Sequence, residues 1–423
     1  MRTVRDSVRM NCAKHAIYAE GAGSMTDRPA NPADPVLILA DDLSGAAEAA
    51  SMFLGRTDQL SLRLSEVFGV PDGGVTVVDL DTRAMAADEA QATLRRTLVG
   101  LRPGTVVVKK IDSLLRGHVG PEVAVLGERG PVIVAAGLPT LDRVVERGVL
   151  HVRGVPLHET RAWHAETRRP PRTVAELFGD QPTRWIPAGP DAVDRLVDGA
   201  SPGCVLVCDV TADADLDAVI TAARAIPAAQ LVGTSALAAA VARTRPAGHR
   251  APATTASGTI LTVVGTAEQV AIDQVAALVA LGTRHMSYAA DDLLGGAADP
   301  AALAGALDRG SVVLTVSGAV NPVRAGALCA ALGRLVAAGQ QRHRPDLVVT
   351  GGQTARAVVD AIGLEALRPV DEVHHGAVVS VDFDGRRIVT RPGSFGDTDS
   401  LVAITAYLQN PRHDTSSCTT SPQ

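Results

Sequence analysis

The sequence predicts an α/β protein of two domains, each with a largely parallel sheet flanked by helices. Three observations carry that reading. Short apolar runs recur along the chain and stop abruptly at Gly, Asp, Ser or Lys. Stretches with helical spacing lie between several of them, and one long segment without periodicity divides the chain. Continuous Val/Ile/Leu runs without alternation suit strands buried on both faces, as in parallel sheets, and strands alternating with helices indicate the α/β class.

The runs are Val36–Ala40, Val75–Val78, Thr105–Val108, Val132–Ala136, Cys204–Cys208, Thr259–Val264, Val312–Val316 and Leu347–Val349. Ser44 is placed to N-cap a helix through Ala46, Ala47, Ala50 and Phe53 that ends near Gly55. Pro121 suits the first turn of a helix continuing through Val123 and Leu126. Thr354 is placed to cap a third, with Ala355, Val358, Val359 and Ile362 on one face and Gly363 as its stop. Ala377–Phe383 and Arg387–Thr390 flank Asp384-Gly385, a hairpin signal.

The segment 243–257, rich in Pro, Ala and Thr, reads as a linker between domains at 36–242 and 258–408. Residues 1–35 read as a disordered N-terminal extension, with Met25 a candidate true start, and 409–423 as a disordered tail. The extension has no continuous apolar core of the signal-peptide kind.

Composition excludes several classes. The chain has 423 residues, 46% hydrophobic and 20% charged, enough to bury a sizeable core. A net charge of -6 and 2% aromatics argue against nucleic-acid partners. No apolar run approaches the roughly 20 residues that span a bilayer, so no membrane partner is expected. Five cysteines without metal spacing fit a reducing, cytoplasmic setting. The histidines build no metal site either: His374 and His375 are adjacent, and His151, His158 and His164 lack helical ligand spacing.

Of the 40 basic residues only three are lysine, and two of these are adjacent, Lys109 and Lys110. They follow an apolar run, where charge is hard to explain as solubility, and an ammonium is not interchangeable with a guanidinium. Ligands of open α/β sheets lie beyond the carboxyl ends of strands, so the residues after each run are the candidates. The first strand delivers Asp41 and Asp42, the second Asp79, Asp81, Thr82 and Arg83, and the third Lys109, Lys110, Asp112, Ser113 and Arg116. Such a rim suits a small polyhydroxy acid, its carboxylate held by cations and its hydroxyls read by Asp and Ser. The bland alternatives are a helix dipole served by Asp41-Asp42 and local ion pairs made by Arg83 and Arg116.

The second half offers Gly265-Thr266, Ser317-Gly318 and Gly351-Gly352-Gln353-Thr354, the last a turn that brings backbone N–H groups and a positive helix end toward an anion. Arg391-Pro-Gly-Ser-Phe-Gly396 is a second glycine loop. Neither a P-loop nor a dinucleotide glycine fingerprint is present.

Taken in order, Ala40-Asp-Asp-Leu-Ser-Gly-Ala46, Lys109-Lys-Ile-Asp-Ser-Leu-Leu-Arg-Gly117, Gly351-Gly-Gln-Thr354 and Pro392-Gly-Ser-Phe-Gly396 resemble the signatures of the four-carbon acid sugar kinases, which include threonate, erythronate and 3-oxo-tetronate kinases. The resemblance spans about 36 to 405. It implies a sugar-acid-binding N-terminal domain, a nucleotide-binding C-terminal domain and an active site in the cleft between them. It further implies phosphorylation of a terminal hydroxyl with ATP and Mg²⁺, and leaves a homo-oligomer open.

By matching motifs, Asp41, Asp42, Arg83 and the run from Lys109 through Lys110 to Ser113 would touch the acid, with Arg116 on the same rim. Gly265, Thr266, Gly351, Gly352, Gln353, Thr354, Gly393 and Gly396 would hold ATP. Departures from the family's usual residues are Ser44 and Leu114 for Thr, Gln353 for an acidic residue and Arg391 for Lys. Lys109 or Lys110, with Arg83, would anchor the carboxylate, and either Asp42 or Asp112 would accept the hydroxyl proton. The rival readings are a non-catalytic acid-sugar sensor and an NAD-dependent hydroxy-acid dehydrogenase.

Overall fold

In a computed structural model of the chain, residues 34–65, 74–164, 166, 168–248, 258–265, 269–318, 322–393 and 395–410 are described. The expectations for residues 1–33, Met25 included, for 249–257, for the tail beyond Asn410 and for Thr266 lie outside them. Each apolar run named above forms a strand.

Strands Leu60–Arg63, Val75–Asp79, Val36–Ala40, Val106–Lys110, Gln230–Gly233, Val132–Ala135, Val205–Cys208 and Thr183–Ile186 lie side by side in that order, all parallel. Strands Arg284–Ala289, Val312–Ser317, Ile260–Val264, Asp346–Thr350 and Arg387–Arg391 form a second parallel run. Ala377–Val381 pairs antiparallel with Arg387–Arg391 on one side and Ala366–His374 on the other. Helices flank the sheet, as the α/β class requires.

The two runs are not detached sheets. Ala366 and Leu367 pair antiparallel with Arg63 and Leu62 and close one 15-stranded ladder. Sequence pattern alone misses this join, because Leu60–Arg63 is short and Ala366–His374 is broken by Arg368, Pro369, Asp371 and Glu372. A small antiparallel sheet of Arg143–Glu146, Val149–Val152 and Val155–Pro156 is likewise invisible as an apolar run, since most of its residues are not buried.

Each parallel run has a point where the chain, having placed a strand on one side, returns to the other. Val36–Ala40 lies between Val75–Asp79 and Val106–Lys110, and Ile260–Val264 lies between Val312–Ser317 and Asp346–Thr350. Ligands of open α/β sheets bind at the carboxyl ends of such strands. Those ends are Asp41-Asp42 in the first run and Gly265 with Gly351 in the second.

The helix Leu43–Ser51 packs between the two runs. It touches Val36–Ala40 and Ser235–Arg243 on the first side and Ala366–His374 and Gly352–Ala361 on the second. All nine of its residues are buried. Its sequence, Leu-Ser-Gly-Ala-Ala-Glu-Ala-Ala-Ser, is small enough for close approach on every side. Its N-cap is Asp42 rather than Ser44: the Asp42 carboxylate accepts from the Gly45 amide at 2.9 Å. An ionised oxygen at that position satisfies a free amide and also meets the positive helix end, so it outcompetes a hydroxyl two residues later. The helix also stops at Ser51, short of Gly55. Similarly, Gly352–Ala361 starts earlier than a Thr354 cap would allow, because Gly351 takes the N-cap position at φ +95°. Pro121 lies in the first turn of Val119–Gly127, where its missing N–H leaves no bond broken.

Candidate active site

Lys109 and Lys110 are the last two residues of their strand, not the first two beyond it. Successive strand side chains point to opposite faces, so the adjacent ammoniums part company. Lys109 is fully buried, and its Nζ lies 3.1 Å from Glu122 Oε1 on the Val119–Gly127 helix. Glu122 also accepts from Thr82 Oγ1 at 2.7 Å. Lys110 turns toward the Leu43–Ser51 helix, where its Nζ lies 3.6 Å from Glu48 Oε2 and donates to the Ile111 carbonyl at 3.1 Å. A Cβ on Gly45 would come within 2.8 Å of that ammonium and 2.6 Å of Asp42 Oδ1, so glycine at position 45 makes room for both.

At the end of Val36–Ala40, Arg83 gathers the two aspartates. Its Nε donates to Asp41 Oδ2 and its Nη1 to Asp42 Oδ2, each at 2.9 Å. Burial works against the Asp41 carboxylate, but Arg83 and Lys109 outweigh it and hold its pKa below the usual range. The bland reading of Arg83 as an ion-pair partner therefore describes this conformation.

The same holds for Arg116, which grips Asp112 through Nε at 2.7 Å and Nη2 at 2.8 Å. Asp112 further accepts from the Leu114 and Arg116 amides at 3.2 Å each. These four bonds pin a loop in which Leu115 adopts φ +61°, a left-handed conformation costly for a bulky residue. Burial raises the Asp112 pKa, yet Arg116, Arg83 and Lys110 together drive it far below the carboxylate range. Leu114 packs its side chain on the apolar cluster that includes Ile111 and Trp163, and its carbonyl accepts from Trp163 Nε1 at 2.7 Å.

In the second run, Gly265 and Gly351 end neighbouring strands. A Cβ on Gly265 would stand 2.0 Å from Thr354 Oγ1, so only glycine fits against that helix turn. Thr354 is buried within the helix and Gln353 is exposed. The Pro392–Gly396 loop, which carries Gly393, Phe395 and Gly396, is held from beneath. Arg391, fully buried, donates to Gln274 Oε1 and Ser400 Oγ at 2.8 Å each, and Gln274 Nε2 donates to the Asp397 carbonyl at 2.6 Å. Burial lowers the Arg391 pKa to about 10. The residue that departs from lysine thus supports the loop from inside.

The two sets of motifs meet. A Cβ on Gly352 would be 2.6 Å from Asp42 Oδ2 and 3.4 Å from Ser44 Oγ, which places the Asp42 carboxylate against the first turn of Gly352–Ala361. Around this contact stand residues that motif reading passed over. Arg356 Nη1 lies 3.0 Å from Asp79 Oδ2. Burial, opposed by Arg356 and helped by Asp81 and Asp42, raises Asp79 to about 7. His375 Nε2 lies 3.2 Å from Glu48 Oε1, and Ser235 Oγ donates to the same oxygen at 2.8 Å. Glu48 raises the His375 pKa. His375 stacks on Phe395 with centroids 5.8 Å apart, and the Arg143 guanidinium lies 5.9 Å from the other ring's centre while donating to Ser113 Oγ. Glu48 and Glu122 carried a signal in the sequence, as lone charges inside otherwise small or apolar helices. Arg143 and His375 carried none, because only the tertiary fold brings them to the rim.

A cavity of about 410 Å³ adjoins the turn, lined by Asp81 and Ala84 from the first part and by Cys329, Arg334, Gln353 and Arg356 from the second. Among the described residues no cluster of three or more His, Cys, Asp or Glu side chains is arranged to hold a metal ion, and no helix is long and apolar enough to cross a membrane.

A family described as a sugar-binding N-terminal domain matches residues 36–241, and one described as a nucleotide-binding C-terminal domain matches residues 261–401. A D-threonate kinase of Cupriavidus necator is 30% identical over 86% of this chain and 96% of its own length. The chain belongs to the four-carbon acid sugar kinase family. A 3-oxo-tetronate kinase of Methylobacterium radiotolerans is 29% identical over 85% of this chain and 96% of its own. The fold of this family member also matches solved structures. A Salmonella typhimurium LT2 protein aligns at TM-score 0.70 with 21% identity, covering 88% of this chain and 98% of that one.

Proposed function

We propose that this member of the four-carbon acid sugar kinase family transfers the γ-phosphoryl group of ATP to the terminal hydroxyl of a four-carbon acid sugar. The observation that carries the reading is the contact of Asp42 with Gly352. A carboxylate among the acid-binding motifs lies against a glycine-started helix N-terminus among the nucleotide-binding ones. The first amides of a helix lack intrahelical acceptors, and with the helix dipole they favour an anion. Asp42 lies beside that turn without accepting from its amides, which supports a phosphate site there.

Phosphoryl transfer asks for positioning and charge neutralisation more than covalent work. Asp42 would accept the hydroxyl proton as the new O–P bond forms, while the Gly352–Thr354 amides stabilise charge on the transferred group. Asp112 is the weaker candidate for the base, because its lowered pKa makes it a poor proton acceptor. Mg²⁺ binds with one or two carboxylates plus substrate phosphates. Asp81 and Gln353, both lining the cavity beside the turn, fit that requirement as oxygen donors. When bound, the ion neutralises phosphate charge. Lys110 and Arg83 would orient Glu48 and the aspartates around the acid. Entry of the phosphates requires Asp42 and Gly352 to separate.

An ADP-release assay over D- and L-threonate, D- and L-erythronate and their 3-oxo forms tests the reading. Turnover of at least one acid is expected, with Asp42→Asn reducing kcat by about 100-fold or more at little cost in KM. Failure of all the acids, or an Asp42→Asn enzyme with normal kcat, would sink it.

A further inference from the structure

The cations that sequence motifs assign to the acid are already neutralised by the protein. Lys109 is paired with Glu122, Lys110 with Glu48, Arg83 with Asp41 and Asp42, and Arg116 with Asp112. Each would have to give up a buried partner to receive a substrate carboxylate, leaving that partner as an uncompensated charge. Arg143 differs. Among the described residues no carboxylate lies within ion-pair distance of it, and its polar contact is the donation from Nη1 to the neutral Ser113 hydroxyl.

We propose that Arg143, together with Ser113, is the receptor for the carboxylate of the acid sugar and sets the enzyme's preference for acids over neutral polyols. The inference rests on the kinase reading above. Ser113 belongs to the Lys109–Gly117 motif, so Arg143 reaches the acid-binding rim from the small antiparallel sheet outside it. Its guanidinium is a planar donor fork suited to bidentate recognition of a carboxylate. Burial makes its charge costly; Asp112 and Glu48 favour that charge without forming an ion pair with it, and Arg116 and Arg153 oppose it. Phe395 covers one side of the guanidinium and is backed by His375. Phe395 is also part of the Pro392–Gly396 loop, so the acid receptor and the second glycine loop share a wall. An acid seated on Arg143 would thereby complete the packing of that loop.

The test compares wild type, Arg143→Gln and Arg143→Lys on the preferred acid and on the matching tetritol, at saturating ATP and with ATP varied. Loss of a charge-assisted bidentate contact is expected to raise the acid KM about 30-fold or more in Arg143→Gln. The ATP KM should stay within about 3-fold, and the preference of kcat/KM for acid over tetritol should collapse. Arg143→Lys keeps the charge and most of the reach but loses the fork. It should fall between the two with a melting temperature near that of wild type, so a misfolded Gln variant would not blunt the test. An unchanged acid KM in either variant overturns the proposal, as does an equal loss toward acid and tetritol. Wild-type protein inactive on every four-carbon acid would instead bring down the kinase reading and this assignment with it.

Discussion

At the scale of single residues, the adjacent lysines illustrate how a strand converts a sequence doublet into two separate jobs. Lys109 and Glu122 form a fully buried pair, and such pairs repay their desolvation only while both partners are present. Lys109→Met should therefore cost about 3–5 kcal/mol in urea unfolding by leaving Glu122 unpaired. The double variant Lys109→Met/Glu122→Leu should recover most of that loss. A single variant as stable as wild type would show that the pair contributes nothing. The rarity of lysine singles out Lys109, and the structure buries that ammonium against Glu122. Which face each lysine takes follows from strand ends that an apolar run does not mark to the residue. Asp42 was legible because its motif is local, whereas Arg143 is remote in sequence from every motif and was not.

At the scale of elements, the site depends on small residues at three strand-to-helix turns. Gly45 admits the Lys110 ammonium, Gly265 admits Thr354 and Gly352 admits Asp42. Gly265→Ala forces a methyl group to 2.0 Å from Thr354 Oγ1, so the turn must shift or the core must open. An overpacked contact of this kind costs about 1–3 kcal/mol. Because the displaced element is the candidate phosphate turn, the variant should raise the ATP KM more than the acid KM, measured by steady-state kinetics. An equal rise in both would argue that the turn serves the fold alone. The long parallel strands and their switch points were readable from continuous Val/Ile/Leu runs. Leu60–Arg63, Ala366–His374 and the small antiparallel sheet were not, because their half-exposed, polar-interrupted residues resemble loops. Those are the elements that join the two halves and deliver Arg143.

At the scale of the whole molecule, the two halves are tied by Asp79–Arg356 and Glu48–His375, and the pKa values of Asp79 and His375 are both raised. Asp79 is raised to about 7, so between its unfolded value and that pH the folded chain binds more protons than the unfolded one, and stability falls as pH rises. His375 is also raised, so its contribution is complete below its unfolded pKa and is lost as pH climbs through the folded one. The two effects share a sign. Stability should drop by up to about 2 kcal/mol from Asp79 alone between about pH 5.5 and about pH 8. Asp79→Asn should flatten the melting temperature across that window. A wild-type melting temperature that climbs steadily over the same range would contradict the assignment.

The central claim is that acid and nucleotide meet where Asp42 touches Gly352. A crystal structure with a non-hydrolysable ATP analogue and a four-carbon acid tests it most directly. The account predicts the γ-phosphate lying between Asp42 and the Gly352–Thr354 amides, with the acid's carboxylate on Arg143 and its terminal hydroxyl turned to Asp42. A triphosphate bound away from that turn, or an acid whose carboxylate lies on Lys109 with Arg143 untouched, would contradict it.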